Sequence, residues 1–149
     1  MITLEEATND SIDYMLSKLK TDDYYEKRYE IISHIHKKVG ILFIVKFKEM
    51  EIGFINLEID SSYGCDLLYE YYDFSINNFF IHKEYRNNGF SYQIINELEQ
   101  YIRNNFKFCK LCIRVLLNKN NKKFWEKMGY SQSENVMFKE IDQYKRLNK

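Results

Sequence analysis

The residues best suited to chemistry lie together in Ile81-His82-Lys83-Glu84-Tyr85-Arg86-Asn87-Asn88-Gly89-Phe90-Ser91. Arg86 is a fixed cation whose planar donors match phosphate oxygens. Gly89, three residues on, lets the backbone approach a ligand closely. An apolar strand pattern precedes this stretch and a helical one follows it. The turn therefore opens onto a helix N-terminus, whose first N–H groups are unpaired and carry partial positive charge. Together these make an anion cradle with a fit to phosphate. On residue type alone, an ordinary strand-to-helix turn with a solvated arginine reads equally well.

Two other spacings invite a ligand and lose it on inspection. Cys109 and Cys112 form a C-x-x-C, but the third cysteine is Cys65 and no second ligand pair completes a zinc site. Their segment reads as a strand, which would point the two thiols to opposite faces, so plain buried thiols are expected. His34 and His36 fall in a helical pattern, where residues two apart do not share a face, so surface histidines are expected. No metal site is expected.

The elements that must position the cradle follow from periodicity. A short first strand is expected over residues 1–4. Ile12, Met15, Leu16 and Leu19 recur at helical spacing after the cap candidates Asn9, Asp10 and Ser11. Asp22 and Asp23 open a second helix with a stripe of Tyr25, Tyr29, Ile32 and His36, stopped at Gly40. Residues 40–48 and 51–60 read as a hairpin turning at Glu49-Met50, then a loop over 61–66 and a long aromatic-rich strand over 67–81. Ile94, Ile95, Leu98, Ile102 and Phe106 give a strongly amphipathic helix. A strand over 109–117, a short helix over 120–128 closed by Gly129, and a final hairpin from Tyr130 to Ile141 complete the order. The tail from Asp142 is polar. The expectation is an α+β fold, a mixed and mostly antiparallel sheet of six or seven strands with helices on both faces, built as one domain over residues 1–149.

Charge adds a constraint. The chain is formally neutral, yet residues 1–75 hold 8 Lys+Arg against 15 Asp+Glu, while residues 76–149 hold 14 against 7. A duplex nucleic-acid binder carries a surplus of positive charge that is missing here. The longest apolar run, residues 41–45, is strand-sized, so no membrane span is expected. The first residues lack the basic and apolar regions of a signal peptide. A cytoplasmic protein with reduced cysteines is the expectation.

The cradle residues resemble the acyl-CoA motif of the GCN5-related N-acetyltransferase (GNAT) family, R/Q-x-x-G-x-G/A, through Arg86, Gly89 and Ser91. Ile81, Glu84 and Tyr85 match what commonly precedes that motif; Lys83 stands where proline is frequent and Ser91 where Gly or Ala is usual. A second block, N-x-x-A-x-x-[FL]-Y-E-K-x-G-F, is matched by Asn118, Phe124, Glu126, Lys127 and Gly129, with Tyr130 a close replacement. Glu51-Ile52-Gly53-Phe54-Ile55 resembles the family's third strand.

The resemblance implies direct acyl transfer from acetyl-CoA to a primary amine. Backbone groups of Phe79, Phe80 and Ile81 would pair with the pantetheine arm as an added strand. The N–H groups of Arg86, Asn87, Asn88, Gly89, Phe90 and Ser91 would hold the pyrophosphate, and Asn118 would touch the arm. Lys122 and Lys123 stand either at the adenosine phosphate or on a solvated helix face. The family's frequent tyrosine acid is Trp125 here, which can donate a hydrogen bond or pack on the arm but cannot act as an acid. Three consequences stay open: the thiolate leaves without an acid, Tyr130 substitutes, or the chain binds acyl-CoA as a catalytically impaired sensor or interaction module. Asp73, Ser75 and Asn77 share a strand face, and Asp73 is the ionisable candidate for the base, with a solvated aspartate as the alternative. Residues 49–73 hold seven acids and no Lys or Arg. They would attract a cationic acceptor beside Tyr69, Tyr71 and Tyr72, or else simply keep hairpin edges soluble. The expected partners are an acyl-CoA and an amine, without nucleic acid or membrane; a homodimer is an allowed assembly.

Overall fold

A computed structural model describes residues 1–19, 24–37, 39–63, 70–107, 109–118 and 120–142. Chain order is β1 (Ile2–Glu6), α1 (Asn9–Leu19), α2 (Tyr24–His36), β2 (Gly40–Phe47), β3 (Met50–Tyr63), β4 (Glu70–Ile81), a 3-10 turn (Lys83–Tyr85), α3 (Phe90–Asn105), β5 (Lys110–Leu116), α4 (Lys122–Lys127), β6 (Ser131–Ser133) and β7 (Val136–Glu140). The strands form one seven-stranded sheet in the order β1-β2-β3-β4-β5-β7-β6. β4 and β5 run parallel, and the other neighbours run antiparallel. This is the expected α+β architecture.

Each face of the sheet is covered by a pair of helices. On one, Ile94, Ile95, Leu98 and Ile102 of α3 and Trp125 of α4 pack on Phe43, Ile55, Leu57, Phe74 and Ile113. On the other, Ile12, Met15 and Leu16 of α1 and Ile31 of α2 pack on Leu42, Ile44 and Phe54. Alternation along β2, and along β3 from Gly53 onward, sends odd and even residues to opposite cores, as strand geometry demands; Ile52, the extra residue where the β2–β3 register shifts, joins the α3-side core.

β4 breaks that alternation. Its register on β3 shifts between Asn56 and Leu57, which face Asn78 and Ile76, so Asn77 is an extra residue. Ahead of this bulge Phe74 and Ile76 face the α3 side; beyond it Phe79 and Ile81 do. The bulge changes which parity of residue meets each core.

Several local expectations move. β3 continues through Ser61–Tyr63, read as loop from its polar residues, because the backbone pairs with Glu70 to Tyr72 of β4. The β2–β3 turn is Lys48-Glu49, one residue earlier than expected, with both φ positive (51° and 67°) as a two-residue hairpin turn requires. The stripe of α2 that packs inward is Ile31 with Ile32 and Ile35, while Tyr29 is exposed, because Phe54 and Leu42 present the apolar surface there. His36 is exposed, but His34 is half-buried against Gly40. Cys109 and Cys112 are half-buried thiols, and Cys109 precedes β5. Asp22, Asp23, Cys65, Tyr69 and most of the polar tail lie outside the described residues.

At Gly53 β3 leaves no room for a side chain against β4: a Cβ there would run into the Phe80 carbonyl oxygen. Backbone cannot yield as a side-chain tip can. Gly53→Ala is therefore expected to cost about 1–3 kcal/mol by overpacking. A urea midpoint unchanged by the substitution would contradict this close approach.

Candidate active site

β4 and β5 are paired from Tyr71 beside Lys110 to Ile76 beside Val115 and no further. β4 runs on to Ile81 against β3, while β5 ends at Leu116, held by β7 on its other side. Among the described residues, the edge of residues 77–81 that would face β5 has no strand beside it, and its backbone polar groups form a template for an extended partner. The parting opens a cleft of about 880 Å³, lined by Glu58, Ser75, Asn77, Arg114, Asn118 and Trp125 among others. A smaller compartment of about 370 Å³ continues it beside Phe80, Ile81, Arg86, Ser91 and Phe124. Phe79, Asn120, Asn121 and Trp125 line both.

The glycine turn has the backbone of an anion cradle. Asn87 and Gly89 are both left-handed, at φ 64° and 79°, and left-handed residues spaced in this way curl N–H groups inward. A Cβ on Gly89 would meet nothing within 4 Å, so glycine is required by φ and the space over the turn is open. α3 starts with no side-chain cap and no acidic residue in its first turn. Its leading N–H groups and dipole thus remain available to an anion. Arg86 Nε donates to the Ile81 carbonyl at 2.8 Å, and the guanidinium lies 5.3 Å from the Phe80 ring centre. The side chain of Phe90 packs on Phe47 at 4.8 Å, leaving only its backbone for the cradle. Asn87, Asn88 and Lys122 are exposed, and Lys122 lies 4.0 Å from Glu126.

Trp125 is 2% exposed and belongs to both compartments. Among the described residues, the buried side-chain polar atoms without a hydrogen-bond partner are its Nε1 and Asn121 Oδ1. One is a donor and the other an acceptor, four residues apart along α4 and its cap. Leaving such a group unpaired costs about 1–3 kcal/mol. Asn118 Oδ1 accepts from the Asn120 backbone N–H at 2.9 Å, which shapes the loop leading into α4.

The Trp125 ring is fixed from behind. Phe124 and Tyr130 each meet it edge-on at 4.9 Å. Tyr130 is buried in the α3-side core, and its hydroxyl donates to Glu99 Oε2 at 3.1 Å. Glu99, itself buried, also accepts from Lys139 Nζ at 2.9 Å and Arg103 Nη2 at 3.5 Å. Burial, then the Glu99 charge, holds the Tyr130 hydroxyl well above the usual tyrosine range. Tyr130 thus braces Trp125 and does not belong to the cleft lining.

The carboxylate that lines the cleft is Glu58. It stands opposite Ser75 across β3 and β4, and its Oε2 accepts from Asn77 Nδ2 at 3.1 Å. Asp73 is two pairs further out, opposite Asp60 and 3.5 Å from Arg114 Nε, and is absent from the lining. Tyr72 packs against Phe106 at 4.8 Å in the α3-side core, and Tyr71 stands beside Lys110; neither joins the cleft. Sequence reasoning missed Glu58, Arg114 and Asn121. Glu58 was visible as one acid among seven, but only the β3–β4 register sets it beside Ser75.

Residues 38–132 match the model of the Acetyltransferase (GNAT) domain. The chain belongs to the GNAT acetyltransferase family. Its activity class is N-acetyl transfer. No curated protein matches it. Among solved structures, a mutant of the spermidine N-acetyltransferase SpeG from Vibrio cholerae aligns with TM-score 0.70 and 15% identity, over 99% of this chain and 98% of that one. A predicted acetyltransferase with acetyl-CoA from Clostridium acetobutylicum gives 0.68 and 14%, over 90% and 92%. A transcriptional regulator from Bacillus halodurans C-125 gives 0.65 and 16%, over 90% and 95%. At these identities the likeness is one of fold. Among the described residues no group of three His, Cys, Asp or Glu is placed to hold a metal, and no helix is long and apolar enough to cross a membrane.

The brace has a pH consequence. Tyr130 keeps its proton in the fold to a pH at which the unfolded residue, near 10, has lost it. Tyr101 behaves alike, pushed up to about 12 by burial and its bond to Glu6. The unfolded chain then binds fewer protons, so stability falls as pH rises above about 10. Urea midpoints at pH 9 and 11 should show a smaller loss for Tyr130→Phe than for the parent; equal losses would count against the brace.

Proposed function

We propose that this GNAT chain transfers an acetyl group from acetyl-CoA to a primary amine, with a cationic acceptor as the favoured class. The observation that carries the reading is the parting of β4 from β5 over a backbone edge, in a cleft that also holds an unpaired buried donor and acceptor. A ligand arm built of amides fits that set. Residues 79–81 can pair with it as an added strand, and Asn118 and Asn121 can meet its remaining polar groups. The turn of residues 86–91 and the α3 N-terminus suit its pyrophosphate, with Lys122 near a further phosphate.

Acetyl-CoA supplies an acyl carbon activated as a thioester and a thiol that can leave. The chain's own residues supply position, a base and charge stabilisation. An amine must be neutral to attack, and Glu58 is the cleft carboxylate able to take its proton, oriented by Asn77. This assigns the base to Glu58 and leaves Asp73 to shape the field with Arg114. The bulge at Asn77 interrupts the ladder on β3, which favours a free N–H for charge developing on the acyl oxygen. Glu58, Asp60 and Asp73 share one side of the sheet against Arg114, a balance that favours a cationic acceptor. A fold neighbour acts on spermidine, an acceptor of that charge.

Thiol release from acetyl-CoA over a panel of mono-, di- and polyamines tests the reading. Turnover with cationic amines is expected. CoA binding without turnover on any amine would instead favour a module that binds acyl-CoA and does no chemistry. Glu58→Gln should lower kcat by about 100-fold or more while leaving CoA affinity intact; unchanged turnover would remove Glu58 as the base. Gly89→Glu puts bulk and negative charge over the cradle and should abolish CoA binding in calorimetry. Retained affinity would mean that the phosphates bind elsewhere.

A further inference from the structure

The cleft lining contains no Tyr, Cys, His or Lys among the described residues; its ionisable members are Glu58, Arg86 and Arg114. No side chain there can hand a proton to a leaving sulfur near neutral pH except by way of a carboxylic acid. Tyr130, whose ring packs on Trp125, has its hydroxyl committed to Glu99 behind the ring. What the lining does contain is one buried N–H without a partner, on a ring locked by Phe124 and Tyr130.

We propose that the indole N–H of Trp125 is the hydrogen-bond donor to the sulfur that leaves during acyl transfer, so that the departing charge is stabilised by a group that does not titrate. The inference rests on the acetyl-CoA reading above and goes beyond it. Transfer forms the bond between the amine nitrogen and the acyl carbon. The carbon–sulfur bond breaks with its electron pair going to sulfur, and the nitrogen's proton passes to Glu58. The sulfur leaves as a thiolate held by Trp125 Nε1–H and takes its proton from solvent. No acid is needed, because a thiol of pKa roughly 8–9 makes a competent leaving group once its charge is bonded. An indole N–H stays protonated throughout the working range, so this donor adds no alkaline limb to the rate profile.

The chain has one tryptophan, so the protein labelled with nitrogen-15 gives a single indole N–H resonance that reports Trp125 directly. CoA should move that resonance downfield, and further as pH is raised through the titration of the bound thiol. An analogue with hydrogen in place of the sulfhydryl should bind with similar affinity in calorimetry yet leave the resonance near its free position. An equal shift with both ligands, or none with CoA bound, would overturn the assignment while leaving the acetyl-CoA reading standing. Failure of CoA to bind at all would defeat that reading and this one with it. Trp125→Phe should keep CoA affinity and lower kcat about tenfold, less than for an oxyanion donor because sulfur is a weaker acceptor. A kcat unchanged in that variant would also overturn the proposal.

Discussion

The structure turns on where β4 and β5 stop pairing. Two parallel strands that stayed together to their ends would fill the centre of the sheet with ladder hydrogen bonds and leave no entry. Here β5 is held by β7 on one side and drops away from β4 after Val115, while β3 holds β4 for its whole length. Everything proposed to touch a ligand lies along that divergence. The open edge of residues 77–81 is its wall, α4 is its floor beside Trp125, and the start of α3 is its mouth.

Such a cleft is tolerable only because the surrounding structure is over-determined. The α3-side core packs Trp125 among Phe124, Met128 and Tyr130, and Tyr130 is tied through Glu99 to α3 and through Lys139 to β7. A buried carboxylate with three donors around it is costly to desolvate and costly to break, so it fixes geometry more than it adds stability. That rigidity keeps a donor and an acceptor exposed to the cleft's interior chemistry and unsatisfied by the protein itself. Unsatisfied buried groups are rare, and when they cluster in a cleft they read as capacity reserved for a partner.

Much of this was legible in the residues. The stripe Ile94, Ile95, Leu98 and Ile102 specified α3 and its inner face, because 3.6-residue spacing held over more than two turns has few competing readings. Arg86 and Gly89 marked the cradle, because a positive φ at a helix start leaves glycine as the unstrained choice. The bulge at Asn77 was not legible. An extra residue in a strand leaves no compositional trace, and here it is what turns Phe79 and Ile81 to the same core as Phe74 and Ile76. The Lys48-Glu49 turn was hidden for the opposite reason: its left-handed residues are not the Asn and Gly that usually betray one. Glu58 escaped because its role depends on which residue of β4 stands opposite, a matter of register between strands and not of either sequence alone.

The charge division of the chain now has a place in the fold. The basic half supplies the cradle, α3 and α4, while the acidic half supplies Glu58 and Asp60 across the cleft. The central claim is that the parted edge of β4 receives an extended acyl-CoA arm. Amide hydrogen exchange of residues 77–81 and 90–93, with and without CoA, tests this most directly. The account predicts that CoA slows exchange at both stretches together. Protection elsewhere, or at neither stretch while CoA is bound, would contradict it.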